Sequence, residues 1–373
     1  MLFQDVVAQI VRVPKKTAIS TVGRSRSLQF EEPPSFIEWH NGEVRLSFGD
    51  SLNLYNQWDT PTVIVSDGGY GVLGFEGDTT DHLGLPQWYE PHIAEWSKHA
   101  TPQTTLWFWN SEIGWAAVHP ILEKHGWRYI NANIWDKGLG HIAGNVNTSK
   151  IRRFPVVTEI CVQYSFEARI SGQPLKEWLL REWKRTGLPV RKANEACGVA
   201  DAAVRKYLDQ GRLWYFPPPE KFEMLATYAN KHGKESGKPY YSRDGVRPMT
   251  GDEWAKLRYK FYCPHGQTNV WSRAALRNEE RVKAPNGKAL HLNQKPLDLM
   301  KQIIGASSDK GDVVWEPFGG LFSASLAAMK LGRRAFSAEV DSTYFQYGVK
   351  RFTEPTSQRQ HPSHSNGHGE LLL

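Results

Sequence analysis

The stretch VVWEPFGGLFSASLAAMKLGRRAFSAEV, residues 313–340, constrains the fold more than any other part of the chain. A short apolar run, two adjacent glycines, a helix-forming segment and a second apolar run closed by an acid make the pattern of a βαβ unit in a parallel sheet. The glycine turn lets backbone approach a ligand closely, and the carboxylate that ends the second strand, Glu339, can accept hydrogen bonds from both hydroxyls of a ribose. By itself the unit says only that a nucleotide-like ligand fits, because paired glycines after a strand are as often an ordinary turn.

Strand and helix patterns extend this unit in both directions. Upstream, EVRLSFGD (43–50) alternates like a strand, and PTVIVSDGGYG (61–71) is a β-branched run ending in glycine, the profile of a strand buried on both faces. A helix over 91–99, a strand over 104–110, a helix over 114–124 and a strand over 127–138 follow. A loop covers 139–158 and a strand 158–166. Alternation then stops, and resumes with a helix over 296–306, strands at 312–318 and 333–340, and helices at 323–331 and 342–351. The expected organisation is an irregular N-terminal arm (1–39), an α/β domain in two halves (40–166 and 286–352), an insertion (167–285) and a disordered Ser-, His- and Gln-rich tail (353–373).

Composition narrows the classes. Lys and Arg exceed Asp and Glu by 46 to 39, a formal charge of +7, which suits a polyanionic partner without requiring one. Cys161, Cys197 and Cys263 stand far apart with no metal or disulfide spacing, so the chain reads as a protein of a reducing cytoplasm with no metal site. No run approaches the roughly 20 apolar residues of a membrane span. The 15 Trp, 14 Tyr and 16 Phe are core mass, base-stacking surface, or both.

Five short motifs now fall into order: FGD (48–50), SDGGYG (66–71), IWDKG (134–138), HLNQKP (291–296) and WEPFGG (315–320). Together they resemble the β-class amino (N6-adenine or N4-cytosine) DNA methyltransferases of restriction-modification systems. SDGGYG stands where that family has its DPPY catalytic motif, HLNQKP resembles its HxTQKP, and WEPFGG its DPFxG. With the catalytic motif ahead of the cofactor motif, the resemblance implies a circularly permuted, Rossmann-like class I methyltransferase sheet with helices on both faces. It also implies a mostly helical target-recognition insertion, S-adenosyl-L-methionine as cofactor and double-stranded DNA as substrate. By the same resemblance Asp67 and the carbonyl of Gly68 accept the two protons of the target amine, and Tyr70 stacks on a base turned out of the helix. Asp50, His291, Lys295, Glu316, Phe318, Gly319, Gly320 and Glu339 line the cofactor site, with Lys295 seating the methionine portion and Glu339 the ribose.

Asp67 points to adenine. N4 of cytosine is the alternative target, and a DNA-binding relative without catalysis is a second alternative. A nucleotide-dependent oxidoreductase would use the 313–340 unit but leaves SDGGYG and HLNQKP unexplained. Four positions depart from the family pattern: Gly68 and Gly69 replace two prolines, which implies a softer loop, Glu316 replaces an aspartate, and Phe322 replaces a glycine. A cognate restriction endonuclease is the protein partner the resemblance admits, and the chain is a monomer or a dimer; the residues identify neither.

In the insertion, VRKANEACGVADAAVRKYLDQG (190–211) has the spacing of a helix-turn-helix with glycine at the bend, its second helix displaying Asp201, Arg205 and Lys206; a helical hairpin packed into its domain has the same spacing. Arg152 and Arg153 lie in the loop after IWDKG and are candidate phosphate contacts. The stretch 254–273, with Lys256, Arg258 and Lys260, is either a phosphate-binding surface or a solvated strand face.

Overall fold

The computed structural model describes residues 9–10, 35–39, 43–73, 78–138, 152–201, 203–209, 211, 214–277 and 280–353. The calls on the tail beyond 353, on most of the N-terminal arm and on most of the 139–158 loop lie outside these residues. Among the described residues, strands β1 (Gln9–Ile10), β2 (Phe36–Trp39), β3 (Val44–Phe48), β4 (Val63–Ser66), β5 (Thr105–Asn110), β6 (Trp127–Asp136) and β7 (Thr158–Phe166) form one ten-stranded sheet with β10 (Val270–Ser272), β11 (Val313–Glu316) and β12 (Arg334–Glu339). The short pair β8 (Arg169–Ile170) and β9 (Gln173–Pro174) stands apart.

Sheet order is β1-β2-β3-β12-β11-β4-β5-β7-β6-β10. Strands β3, β12, β11, β4 and β5 run parallel, β7 is antiparallel to both its neighbours, and β10 adds in parallel to β6. The two halves of the chain therefore interdigitate: β11 and β12, from the C-terminal half, lie between β3 and β4. Parallel strands need both faces covered, and the central ones supply apolar groups to each. Val63 and Val65 pack with α7 (Leu297–Ser307), α8 (Ser323–Lys330) and Phe345 of α9 (Ser342–Thr353). Ile64, Leu106 and Phe108 face α1 (Leu85–His99) and α2 (Glu112–Lys124). Most of the tryptophans are in these cores, so the aromatic richness is chiefly core mass. No helix among the described residues is long and apolar enough to cross a membrane.

Four details differ from the sequence reading. Residues 36–39, expected to be irregular, are β2, a strand too short to show a period, fixed by the Glu38–Arg45 pair and by Trp39 stacking on Phe352 at 5.0 Å. Helix α1 begins at Leu85 rather than at Pro91, because Pro86 is the first-turn proline and Pro91 sits inside the helix.

The insertion has its own core from Ala168 to Leu257, built on α3 (Leu175–Arg185) and α5 (Pro219–His232), with Trp254 of α6 (Gly251–Ala255) stacked 4.4 Å from Phe222. It ends earlier than residue 285, since Lys260 pairs with Asp309 and Asp312 and β10 rejoins the main sheet. Lys260 is thus a clamp between chain segments.

The helix-turn-helix is the fourth correction. After α4 (Lys192–Ala196), Gly198 makes the expected bend at φ +63°, but Val204–Leu208 is a single π-helical turn. Asn194 Oδ1 takes the Val204 N–H at 3.1 Å and Lys206 gives its carbonyl to Tyr215, so the segment folds back before a recognition helix could extend. Arg205 and Lys206 are exposed on that turn.

Phe322, the residue before α8, holds a left-handed backbone at φ +55° and is fully buried against Phe345. Left-handed backbone costs a side chain about 1–2 kcal/mol, whereas removing a buried phenylalanine costs about 3–5. Phe322→Gly is therefore expected to lower stability by about 2–3 kcal/mol in urea unfolding, although glycine relieves the backbone.

Candidate active site

The carboxyl ends of β3, β12, β11 and β4 open on one cavity of 740 Å³. It lies where connections leave the sheet in opposite directions, β11 through α8 to β12 and β4 through α1 to β5, the place where α/β sheets bind ligands. Asp50, Asp67, Gly68, His291, Lys295, Glu316, Phe318, Gly319, Gly320 and Glu339 all line it. Tyr70, Arg152, Arg153, Arg205 and Lys206 do not.

On one side of the cavity the turn after β11 forms a cradle. A methyl group on Gly319 would lie 2.2 Å from the Phe322 ring and 2.9 Å from the Ala338 carbonyl, so only glycine fits. Gly320, at φ +51°, donates its N–H to Glu339 Oε2 at 2.6 Å, and the Asp341 N–H meets Glu339 Oε1 at 2.7 Å. The Val340 N–H also acts on this carboxylate, which keeps an acceptor position open towards the cavity. Asp50, at the neighbouring strand end, accepts the Leu52 N–H and also faces the cavity. Burial pushes the Glu339 carboxyl up to about 7.

Glu316, expected as a cofactor contact, has another duty. Its two oxygens accept the Ala324 and Ser325 N–H groups at 2.8 Å each, capping the first turn of α8, and burial raises it to about 7. His291 stacks edge-on against Tyr344 and is held at about 4, first by burial and then by nearby cations. Its buried Nδ1 has no hydrogen-bond partner among the described residues. Phe318 packs among Trp88 and His92, at 5.1 and 4.8 Å. An open wall of paired carboxylates, close-approach glycines, aromatic rings and one unpaired imidazole nitrogen fits a nucleoside-type ligand.

On the other side Asp67 follows β4. Lys295, expected to seat the ligand, instead reaches Asp67 Oδ1 and Oδ2 at 2.6 and 2.8 Å. The same ammonium lies 2.8 Å from Glu159 Oε1, and Glu159 Oε2 pairs with Lys137 at 2.8 Å. Tyr70 brings its hydroxyl to Asp67 Oδ1 at 2.9 Å and to Glu159 Oε1 at 2.5 Å. A carboxylate offers about four acceptor positions; Lys295 fills one on each Asp67 oxygen and the Tyr70 hydroxyl lies against Oδ1, so the position open to a ligand is on Oδ2. Burial acts to raise Glu159, but Lys295 and Lys137 outweigh it and hold the acid at about 2. At Asp67 burial outweighs Lys295 and the carboxyl is pushed up.

Glu159 was not singled out in the sequence, yet it is the one charged residue in TEICVQYSF, and a lone acid in a buried strand was the available signal. Asp78 was also missed; its carboxylate takes the Gly71, Val72 and Thr79 N–H groups. With Tyr89 and Asn110 donating to the Gly69 carbonyl at 3.0 and 2.8 Å, these bonds pin the glycine turn that was expected to be soft. Arg152 and Arg153 are exposed, six and seven residues before Glu159, which puts them within roughly 25 Å of it along the chain.

Comparison with known proteins gives a match of residues 55–350 to a family described as DNA methylase, the N6/N4 methyltransferases. The chain is 35% identical over 88 residues to the Type II methyltransferase M.HinfI of Haemophilus influenzae, covering 24% of each chain. It is 43% identical over 61 residues to the DNA adenine methyltransferase YhdJ of Escherichia coli, covering 16% of this chain and 21% of that one. It spans less than half the length of these curated relatives. Among solved structures, the M1.HpyAVI–SAM complex superposes with a TM-score of 0.46 at 14% identity, over 83% of this chain and 98% of the other.

Two outcomes follow from the geometry. Glu316 and Glu339 have raised folded-state values, so their stability is present below the ordinary carboxylate range and lost as pH rises through about 7. His92 and His291, held at about 4, act oppositely, their contribution being lost as pH falls from 6.5 towards 4. The ligand-free protein should therefore gain about 1–2 kcal/mol between pH 8 and pH 6.5 and then level off, read by urea unfolding across pH. Gly68→Ala places a methyl 2.7 Å from the Phe318 ring and 2.9 Å from the Tyr89 hydroxyl, and should cost about 1–3 kcal/mol by overpacking in the same assay.

Proposed function

The chain belongs to the DNA methylase family that acts on N6 or N4 amino groups, and from that membership we propose that it is an S-adenosylmethionine-dependent DNA methyltransferase acting on the N6 amine of adenine in double-stranded DNA. The observation that carries the reading is the one free acceptor position of Asp67 Oδ2, on a carboxylate that lines the nucleoside-shaped cavity.

An exocyclic amine is a weak nucleophile because its lone pair is delocalised into the ring. A hydrogen-bond acceptor on one N–H favours the pyramidal nitrogen whose lone pair is available, and Asp67 Oδ2 is placed to be that acceptor. Bound S-adenosylmethionine supplies a methyl group activated by its sulfonium. Glu339 and Asp50 would hold the ribose hydroxyls, Phe318 and Trp88 would offer a flat apolar wall, and His291 Nδ1 would find the partner it lacks in the protein. Proximity accounts for much of the acceleration, since no covalent intermediate is required.

Asp67 at this position favours adenine as the target, and the relative from Escherichia coli bears the name of a DNA adenine methyltransferase. Arg152 and Arg153, exposed near the start of β7, supply positive charge for the DNA backbone.

The test is transfer of labelled methyl from S-adenosylmethionine to unmodified DNA, with product nucleosides separated by mass spectrometry. Wild type should yield N6-methyladenine, and Asp67→Ala should lower the rate at least ~100-fold while calorimetry shows retained cofactor binding. N4-methylcytosine as product would replace adenine as the target. Folded protein that binds DNA yet methylates none would overturn the enzymatic reading.

A further inference from the structure

We propose that Glu159 is a positioning residue that makes Asp67 the base of the reaction: by drawing the Tyr70 hydroxyl hydrogen and a share of Lys295 to itself, it leaves Asp67 able to keep the proton that the target amine releases. This inference rests on the methyltransferase reading above and assigns a role to a residue outside the ligand cavity.

Tyr70 has one hydroxyl hydrogen and two carboxylates in reach, Glu159 Oε1 at 2.5 Å and Asp67 Oδ1 at 2.9 Å. It can donate to only one. The shorter contact goes to Glu159, which Lys137 and Lys295 keep ionised and so a charged acceptor. The Tyr70 oxygen then turns a lone pair towards Asp67 Oδ1, and two acceptors face each other. Two ammoniums and two carboxylates balance in charge, and although Lys295 also reaches the Tyr70 oxygen at 3.2 Å, no hydrogen lies between that oxygen and Asp67 Oδ1. Without the Tyr70 hydrogen Asp67 is the more basic of the two carboxylates, and its open position on Oδ2, where the target amine is placed, takes the released proton.

Methylation releases one proton. The nitrogen lone pair forms the new bond to the methyl carbon, the C–S electron pair stays on sulfur, and the methylated nitrogen sheds one N–H proton. Asp67 takes that proton and holds it until product leaves, when it passes to solvent. Burial first, then the Glu159 charge, favour the protonated form of Asp67, while Lys295 opposes it.

The other groups facing this cluster do not compete for the proton. Tyr89 on α1 and Cys161 on β7 are pushed well above their ordinary ranges by burial, and His291 is held low. Lys295 itself is raised: burial lowers it, but Asp67 and Glu159 outweigh that effect.

Single-turnover methylation by wild type, Glu159→Gln and Glu159→Asp across pH 5–9 tests the assignment. Glu159→Gln should slow methyl transfer by about 10- to 100-fold and move the acidic limb of its pH profile down by about one unit, with cofactor affinity unchanged. Glu159→Asp should recover part of the rate. Infrared titration of the cofactor-free protein gives an independent readout. The Asp67 carboxyl band, identified by its loss in Asp67→Asn, should titrate about one unit lower in Glu159→Gln than in wild type.

An unshifted pH profile together with an unshifted Asp67 band would overturn the inference, and so would a fall in rate matched by equal losses of cofactor affinity and thermal stability. If wild type methylates no DNA, the functional reading fails, while the infrared titration still decides whether Glu159 governs Asp67.

Discussion

The Lys295 ammonium, buried between Asp67 and Glu159, is the interaction on which the site depends. It belongs to the segment before α7, in the C-terminal half, whereas both its acids come from the N-terminal half. Buried ion pairs add little net stability, because desolvation offsets their attraction, yet losing one partner strands a charge at a cost of about 3–5 kcal/mol. Their value is in registration. With Lys295 fixed, HLNQKP can lie in one place only, and that placement brings His291 and Asn293 to the cavity wall. One contact thus joins the side of the cavity that suits a nucleoside to the side that holds Asp67.

The interdigitated sheet makes this contact attainable. With β11 and β12 between β3 and β4, the strand ends bearing Asp50, Glu339, Glu316 and Asp67 stand side by side although they are far apart in sequence. Glu316 shows how neighbouring acids divide their work. It lies at the end of β11 and spends both oxygens on the first amides of α8, fixing the turn that carries Gly319 and Gly320. Glu339 braces the same turn from β12 through Gly320. Glu316 reaches the helix from the end of β11 while also lining the cavity, so the acid at this position has a structural role beside its place in the cavity wall.

Much of this was legible in the sequence, for a reason that also explains what was not. The central strands are buried along most of their length, so residues 61–66, 104–110, 158–166 and 312–340 declare themselves by local pattern. The cavity residues lie at those strand ends and came with them. Interactions between segments have no local signature: the pairing of Lys295 with Glu159 spans 136 positions, and Asp78 acts on amides behind it in the chain. The insertion misled in another way. Small apolar residues around Cys197 and Gly198 suit a helix-turn-helix, but Asn194 and Tyr215 bond the segment back on itself, and spacing carries no trace of that.

The departures from the family pattern at positions 68 and 322 are both matters of packing against a phenylalanine ring. Phe318 presses its ring onto residue 68, where a methyl group would lie 2.7 Å from it, so a side chain at 68 needs that ring to shift. Phe322 likewise lies over Gly319 and Gly348, each of which would collide with it if it bore a methyl group, at 2.2 and 2.6 Å. The Phe318 ring is matched by glycine at 68, and the bulk gained at 322 by glycine at 319 and 348. Prolines would fix the turn after β4 through backbone angle; here Asp78, Tyr89 and Asn110 fix it through hydrogen bonds. The shape of the Asp67 turn is therefore set by its neighbours: a side chain restored at 68 meets the Phe318 ring, and one restored at 69 meets the Asp78 carboxylate that holds the turn.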